Sequence, residues 1–144
     1  MSNPISFQTT LEVRDACLCL HLQRAARAAA RRFDAALRPA ALTSGQFSLL
    51  MALNRPEPPT LAPVATLLAM DRTTLTAALK PLQRRGLVAV HPDALDRRAR
   101  RLVLTDAGRT TLAAALPLWR AEHAAMERDV ADADRLRREL ASLS

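Results

Sequence analysis

The residues best suited to bind another molecule are concentrated between Asp71 and Arg101, a stretch that reads DRTTLTAALKPLQRRGLVAVHPDALDRRARR. Its second part, Arg84–Arg101, holds six arginines against two aspartates, and so carries four of the seven net positive charges of the chain. Guanidinium groups stay charged and donate several hydrogen bonds in one plane, which suits them to phosphate oxygens. Charge concentrated in this way predicts a surface that binds a polyanion.

The first part of this stretch has the pattern of a helix with one apolar and one polar face. Asp71 can accept hydrogen bonds from the free amides of a first helical turn, and Gly86 can adopt the left-handed conformation that ends a helix. Helical spacing puts Leu75, Ala78, Leu79 and Leu82 on one side and Thr73, Ala77, Lys80 and Arg84 on the other. The first side needs a core, whereas the second is short, polar or cationic and can approach a groove closely.

A short β-hairpin is predicted directly after this helix. The β-rich runs Leu87–Val90 and Leu102–Leu104 are separated by turn-forming and basic residues. Two shorter helices precede the polar-faced one: the first is capped by Thr43, and the second, Leu61–Leu68, is capped by Thr60. Two short helices, a tight turn and a polar-faced helix together predict a helix-turn-helix with a basic hairpin beside it.

Both ends of the chain are predicted to be helical. Leu11–Leu37 has an apolar stripe that predicts one long helix, and Arg38–Pro39 ends it. Thr105 is predicted to cap another helix, whose apolar residues recur at nearly heptad spacing, and Asp132 or Asp134 begins a short last helix. Since a single helix cannot bury such a stripe, the two chain ends predict a dimerisation region.

Length and composition favour one soluble, helical domain. The chain has 144 residues, of which 49% are hydrophobic and only 3% aromatic, and it contains three glycines. The two cysteines stand two positions apart, which is no disulfide framework, and we recognise neither a secretion signal nor an apolar run of membrane-spanning length. We therefore expect a cytoplasmic protein that has no membrane partner.

Residues suited to catalysis or metal binding are sparse. The three histidines, His21, His91 and His123, lie far apart in the sequence, and metal-ligand spacing occurs only for the pair His21 and Cys17. Neither a glycine-rich phosphate loop nor a nucleophile elbow occurs. We expect no enzymatic activity, no cofactor and no metal, and we interpret His123, on an apolar stripe, as a hydrogen-bonded interface histidine.

Three linked motifs, LTSGQFSLLMAL, MDRTTLTAALKPLQRRGLV and DALDRRARRLVLTDAGR, occur in that order. As a set they resemble the MarR family of bacterial winged helix-turn-helix regulators, and the likeness extends from about Asp15 to Trp119. The resemblance implies a mainly α fold with a small β-hairpin wing (α+β), in which residues 39–105 form the winged helix-turn-helix. A helical dimerisation region, built from both chain ends at residues 8–38 and 106–144, completes one compact chain.

The resemblance also implies which residues contact DNA. The N-terminal part of the recognition helix enters the major groove, and Arg72, Thr73, Thr74 and Thr76 match it, while Lys80 and Arg84 are better placed for phosphates. In the family, a wing arginine reaches the minor groove and an acidic residue braces it, and the matching pair is Arg98 and Asp96. Arg97, Arg100 and Arg101 are interpreted as contacts to the DNA backbone or as solvated charges. The implied function is that of a homodimeric repressor of transcription that binds a palindromic operator in double-stranded DNA.

Two other interpretations remain open at this point. The basic surface could be only a solvated cationic face, or the chain could be a winged-helix module that binds protein and has lost DNA binding. Such a module needs neither Arg72, nor a polar helix face, nor a charged wing, all of which are present. Salt-dependent binding to a palindromic duplex distinguishes a DNA-binding regulator from either of them.

In the family, DNA binding is released by a small molecule or by thiol oxidation, which makes Cys17 and Cys19 possible redox sites. Cys19 matches the reactive cysteine of the organic-peroxide-sensing branch, but Phe33, Ser44 and Gln23 stand at places where that branch has tyrosines. The hydrogen bonds that would activate the thiol are therefore expected to be absent, and Cys19 is predicted to be buried. Cys17 falls on the far side of the predicted helix, near cationic residues, so the two cysteines are not expected to pair.

The other route to release is an apolar or phenolic effector, bound in a crevice between the dimerisation region and the winged helix. The candidate walls of this crevice are Phe33, Leu37, Phe47, Met51 and Trp119. On spacing alone, these residues could equally be plain core. The sequence identifies no particular effector.

Overall fold

The computed structural model describes residues 3–144, which form seven α-helices, a short 3₁₀ turn and one antiparallel β-hairpin. The helices are α1 (Phe7–Ala16), α2 (Leu18–Leu37), α3 (Ser44–Leu53), α4 (Leu61–Leu67), α5 (Arg72–Arg84), α6 (Asp106–Arg128) and α7 (Ala133–Ala141), and the strands are β1 (Val88–Pro92) and β2 (Arg100–Leu104). The predicted fold class, mainly helical with a two-stranded wing, is confirmed.

Most helices begin at the residues that the sequence predicted as caps. Thr43 forms a reciprocal capping box at the start of α3, and Asp71 accepts a hydrogen bond from a first-turn amide of α5. Thr105 and Asp132 do the same for α6 and α7. Thr60 precedes α4 as expected, but its side chain makes no capping hydrogen bond. These caps fix the helix starts because they satisfy amides that the helix itself leaves unpaired.

The buried core lies entirely between Leu37 and Ala115, beneath α3, α4, α5, the hairpin and the first half of α6. Leu75 and Leu82 of α5 are fully buried, so the predicted apolar side of that helix faces this core. Burying a leucine stabilises a fold by about 1.5–3 kcal/mol, and these residues therefore hold the polar side of α5 outward.

The hairpin pairs Val88 with Leu104 and continues to Pro92 opposite Arg100. Its outer edge is not free, because the Leu102 amide donates to the carbonyl oxygen of Pro59 at 2.8 Å, just before α4. Gly86 adopts a φ of +71° between α5 and β1, which is the conformation predicted for it. The wing is thus attached both to the end of α5 and to the beginning of α4.

The prediction of one long helix over Leu11–Leu37 is wrong, because the helix breaks at Cys17. Cys17 has an extended backbone (φ −69°, ψ 108°), and its Sγ accepts a hydrogen bond from the Leu20 amide at 3.4 Å. Its own amide donates to the carbonyl oxygen of Val13. The side chain of Cys17 therefore caps α2 while its backbone ends α1, a local arrangement that apolar periodicity does not reveal.

The two chain ends are joined by ion pairs. Arg32 of α2 donates to Glu122 of α6 at 2.6 Å and to Asp129, the residue that caps the end of α6, at 2.9 Å. The outermost helices, α1 and α7, have no buried residues within the described chain. Their apolar stripes are left uncovered in a single copy of the chain.

None of the helices in residues 3–144 combines the length and the apolar character that crossing a membrane requires.

Candidate nucleic-acid interface

The polar side of α5 is exposed along its whole length. The exposed residues of this helix that were predicted to contact DNA are Arg72, Thr73, Thr74, Thr76, Lys80 and Arg84. Leu75 and Leu79, which alternate with them, are buried. The helix therefore presents one continuous row of short polar and long cationic side chains.

The cap of α5 involves one of the predicted contact residues. The carboxylate of Asp71 accepts from the Thr74 amide at 2.7 Å and from the Thr74 hydroxyl at 2.8 Å. These hydrogen bonds, the amide first, hold the pKa of Asp71 below its ordinary value of 3.8. Since its hydroxyl proton is donated to Asp71, Thr74 can offer DNA only its methyl group and an acceptor oxygen.

The tip of the wing is organised by Asp96. Its Oδ1 accepts from the backbone amide of Arg98 at 2.9 Å, and its carbonyl oxygen accepts from the Ala99 amide at 3.1 Å. Asp96 thus braces Arg98 through the backbone, and the guanidinium group of Arg98 stays exposed. The arginine is fixed where it leaves the backbone, while its charged end is free to reach a ligand.

Most of the predicted DNA-contacting cations have no acidic partner within residues 3–144. The cations that form no ion pair in this part of the chain are Arg72, Lys80, Arg84, Arg97, Arg98 and Arg100. A cation that forms no internal ion pair has none to break when it binds a phosphate, and it releases counterions from DNA.

Arg101 is the exception, because it forms an ion pair within the chain; of its two predicted roles, the solvated charge is wrong, and the contact to the DNA backbone stays a prediction. Its Nε donates to Asp93 at 2.8 Å and its Nη1 donates to the carbonyl oxygen of Pro58 at 2.9 Å. Asp93 belongs to the same arginine-rich segment, but Pro58 could not be inferred from that segment, because it lies 43 residues away in the sequence.

Recognition helix and wing face the same cleft, which has a volume of about 720 Å³. Its walls combine Arg72 and Thr76 of α5 with Arg98 and Arg100 of the wing. Side chains that are distant in sequence are therefore brought together into one concave, cationic surface. Such a surface can accept an anionic ridge such as a nucleic-acid backbone, with arginines on both sides of it.

Sequence reasoning did not identify Gln83, which also lines this cleft. Gln83 follows Thr76 by seven residues, and helical spacing puts it on the same side as Arg72 and Thr76. That spacing is a usable signal in the sequence, although Gln83 carries no charge to mark it beside the neighbouring Arg84. Glutamine can donate to and accept from base edges, which suits it to a DNA-reading surface.

Comparison with known proteins agrees with this geometry. A family model described as the MarR family matches residues 42–99. The structure of the M. tuberculosis transcriptional regulator MosR in complex with DNA superposes with a TM-score of 0.82 and 41% sequence identity, covering 88% of this chain and 92% of that one. The chain belongs to the MarR family of transcriptional regulators.

Other MarR-type structures agree. A second structure of M. tuberculosis MosR matches at 39% identity with a TM-score of 0.77, over 90% of this chain and 93% of that one. The transcriptional repressor CouR, bound to a 23-mer DNA duplex, matches at 32% identity with a TM-score of 0.74, over 92% of each chain. A comparison with curated proteins gives no match. The function of this MarR-family chain is accordingly transcriptional regulation through DNA.

The two cysteines of this MarR-type protein lie at the break between α1 and α2. The prediction that Cys19 is buried is wrong: Cys19 is exposed and Cys17 is half-buried. The predicted absence of activating hydrogen bonds concerned tyrosines, which the chain does not contain, but the side-chain amide of Gln23 does donate to Cys19 Sγ at 3.4 Å. Since Cys17 does not lie on a regular helix, the helical argument against its pairing with Cys19 no longer applies.

The five residues predicted to wall an effector crevice line two adjoining clefts. Phe33, Leu37, Phe47 and Trp119 line one cleft of about 280 Å³, and Phe47, Met51 and Trp119 line another of about 370 Å³. The rings of Phe47 and Trp119 stack with centroids 6.0 Å apart, and both contribute to both clefts. Leu37 is fully buried, so most of its side chain belongs to the core.

His123 also stacks on Trp119, with ring centroids 4.6 Å apart. Its Nε2 lies 3.7 Å from a carboxylate oxygen of Glu127. The three stacked rings are those of Phe47 in α3 and of Trp119 and His123 in α6. They therefore link the winged helix to the C-terminal helices.

Proposed function

We propose that this MarR-family protein is a homodimer that binds a palindromic operator and represses transcription. One observation carries the proposal: Arg72 and Thr76 of the recognition helix and Arg98 of the wing face one cleft. MosR and CouR, which share 41% and 32% of their residues with this chain, have been observed on DNA, and this supports the same use of the surface here. A protein of this function acts where chromosomal DNA is, in the bacterial cytoplasm.

The individual contacts follow from the position of each side chain. Arg72, Thr73, Thr74 and Thr76, at the N-terminal end of α5, enter the major groove, where arginine pairs with guanine edges and threonine methyl groups contact thymine. Lys80, Arg84, Arg97 and Arg100 neutralise phosphates. Arg98, held by Asp96, reaches into the adjacent minor groove, whose negative potential attracts guanidinium groups.

A second copy of the chain is the proposed partner of the helices at the chain ends. Residues 8–38 and 106–144 form the dimerisation region and residues 39–105 read DNA. Leu18 of α2 is 72% exposed, and Leu136 and Leu140 of α7 are about 40% exposed, although all three are large and apolar. Burying such residues against another copy removes their apolar surface from water, and two-fold symmetry then matches a palindrome.

Selection of bound duplexes from a fragmented genomic pool, followed by gel-shift titration of the selected operator, tests the proposal. Arg98→Ala should lose most operator affinity while its circular dichroism spectrum stays that of the wild type. Arg120→Ala, which removes an exposed arginine of α6 remote from the cleft, should bind like the wild type. Failure to enrich any duplex, or equal affinities of wild type and Arg98→Ala, would refute the proposed interface.

Release of the operator by an apolar or phenolic effector is proposed to occur at the two clefts around Trp119. Trp119 is the single tryptophan of the chain, so its fluorescence reports directly on those clefts. Titration with a panel of phenolic compounds should quench this fluorescence, and the same compounds should release the operator in gel shifts. Release without any fluorescence response would place the effector elsewhere.

Oxidation of Cys17 or Cys19 is the second proposed route to release. The exposure of Cys19 and the position of Cys17 in a helix break support it, because both thiols lie where peroxide can approach. Operator binding by wild type, Cys17→Ser and Cys19→Ser should be compared before and after peroxide, with thiol counting by mass spectrometry. If peroxide affects all three proteins identically, the cysteines are not the sensor.

A further inference from the structure

The base of the wing contains a carboxylate that is bound on both sides. Oδ1 of Asp93 accepts from Arg101 at 2.8 Å, and Oδ2 accepts from the Asp96 amide at 3.0 Å. The Asp93 side chain is only 13% exposed, although it lies in a loop at the edge of the molecule. The hydrogen bond from Arg101 is the main cause that lowers the pKa of Asp93, so this carboxylate stays ionised.

Arg101 extends this contact to the helix-turn-helix. Besides Asp93, it donates to the carbonyl oxygen of Pro58 at 2.9 Å, and the next residue, Leu102, donates from its amide to Pro59 at 2.8 Å. Thr60, which follows these prolines, is the residue at which α4 begins. Arg101 therefore connects the base of the wing to the segment that leads into α4.

The same network reaches the DNA-contacting tip. Asp96, whose amide is held by Asp93, in turn accepts from the Arg98 amide at 2.9 Å. A continuous series of hydrogen bonds thus runs from Pro58 through Arg101, Asp93 and Asp96 to Arg98. Each step fixes the backbone or a planar group, so the direction in which Arg98 leaves the wing is determined relative to the helices.

We propose that Asp93 and Arg101 are positioning residues for DNA binding, which hold the backbone of Arg98 in a set position relative to α5 and do not themselves contact DNA. The inference rests on the proposed use of Arg98 as the wing contact. It assigns Arg101 a different role from the neighbouring Arg97 and Arg100, although all three stand in one basic run. The proposal also explains why Asp93, an acidic residue, lines a cleft that is proposed to bind a polyanion.

Electrostatics alone predicts the opposite behaviour for Asp93. Removing a negative charge beside bound DNA lowers the repulsion and should strengthen binding. If Asp93 instead positions Arg98, its removal should weaken binding by about tenfold, which is roughly the effect of losing one hydrogen bond to a charged group. The sign of the change therefore separates the two roles.

The experiment uses the full chain and the selected operator, in gel-shift titrations at fixed salt. Asp93→Ala should bind more weakly than wild type, Asp93→Glu should recover part of the loss, and Glu57→Ala should bind as well as wild type or better. Glu57 is the matched control, since it is an exposed acid of the α3–α4 loop and is adjacent to Pro58, the residue to which Arg101 donates. If Asp93→Ala lowers the melting temperature, Asp93→Asn, which preserves the shape of the side chain, replaces it in the comparison with wild type.

The decisive comparison repeats these substitutions in an Arg98→Ala background. A positioning residue acts through Arg98, so Asp93→Ala and Arg101→Ala should cause no more than about a twofold further loss there, well short of independent, additive losses. Tighter binding by Asp93→Ala, or full additivity of Arg101→Ala with Arg98→Ala, would overturn the assignment while leaving Arg98 as a DNA contact. Equal binding by wild type and Arg98→Ala would overturn the wing contact itself, and the inference with it.

Discussion

At the scale of single residues, the arginines of the basic segment divide according to their partners. Arg98 has a fixed backbone and a free guanidinium group, whereas Arg101 donates to Asp93 and Pro58. The charge is the same in both, but only a free guanidinium can bind a phosphate or a base without first breaking an ion pair. The role of each arginine is therefore set by its hydrogen bonds more than by its place in the run.

Lys80 and Gln83 provide a prediction about charge at this scale. Lys80→Ala should make the dependence of log affinity on log salt shallower by about one unit, because one phosphate contact is lost. Gln83→Ala removes no charge, so it should leave this slope unchanged and alter the preference among operator bases. Gel-shift titrations at several salt concentrations measure both, and a changed slope for Gln83→Ala would contradict the assignment.

Asp71 provides a prediction about pH. Its pKa in the folded protein lies below the ordinary value of 3.8, so its capping contribution is complete above that value and is lost as the pH falls through the lower, folded pKa. The difference in melting temperature between wild type and Asp71→Ala should be constant from pH 8 to about pH 5 and shrink below about pH 4. Thr43→Ala, which removes a cap that does not titrate, should give a difference that does not shrink in this way.

At the scale of elements, the wing is held in place from two sides. Leu102 pairs with Pro59 ahead of α4, and Thr105 donates from its hydroxyl to the carbonyl oxygen of Gly86 at 2.7 Å. The amide of Thr105 donates to the carbonyl oxygen of Leu87. The start of α6 thus packs directly on the connection between α5 and β1, which ties α5, the wing and α6 into one unit.

Gly108 should be needed for this close packing. A Cβ atom added there would overlap the carbonyl oxygen of Leu87, which cannot move because it accepts the Thr105 amide. Gly108→Ala should therefore lower the free energy of unfolding by about 3 kcal/mol, the upper part of the usual range for overpacking.

The matched substitution is Gly45→Ala in the first turn of α3, where no atom lies within 4 Å of an added Cβ. It should leave the free energy of unfolding unchanged or raise it by up to about 1 kcal/mol, since alanine is the better helix former. Urea unfolding of both variants measures the difference, and equal effects of the two substitutions would contradict the packing argument.

At the scale of the whole molecule, the buried core and the uncovered surface occupy different parts of the chain. Every buried residue of the described chain lies between Leu37 and Ala115, while α1 and α7 contribute none. The helices at the ends therefore gain little apolar burial within one copy. A second copy of the chain is expected to stabilise these helices, and operator affinity is expected to depend on that second copy.

Leu136→Asp combined with Leu140→Asp tests that expectation. If the chain forms the proposed dimer, two carboxylates on the apolar stripe of α7 should convert it to monomers, because burying them would leave charges without partners. Operator affinity should then fall by about a hundredfold or more, since the two half-sites are no longer bound by one linked particle. Light scattering measures the mass, and Leu95→Ser, at a wing residue that is 97% exposed, should leave it unchanged.

The sequence alone determined the features that depend on near neighbours. Asp71 and Gly86 mark where the recognition helix begins and ends, and the alternation of Leu75, Leu79 and Leu82 with polar residues decides which side faces out. The family could be recognised from linked motifs, whereas the aromatic residues near Trp119 could be either cleft walls or core on spacing alone. The limits and the outward side of the recognition helix follow from hydrogen bonds or periodicity within a few residues.

The tertiary structure alone decided how those parts are used. It showed that Cys17 interrupts a helix, that Cys19 is exposed, and that Arg101 is engaged by partners 8 and 43 residues away. It also brought Gln83 into the same cleft as the wing. The physical reason is that a hydrogen bond or a burial depends on which distant segment packs nearby, and one-dimensional spacing carries no information about that distance.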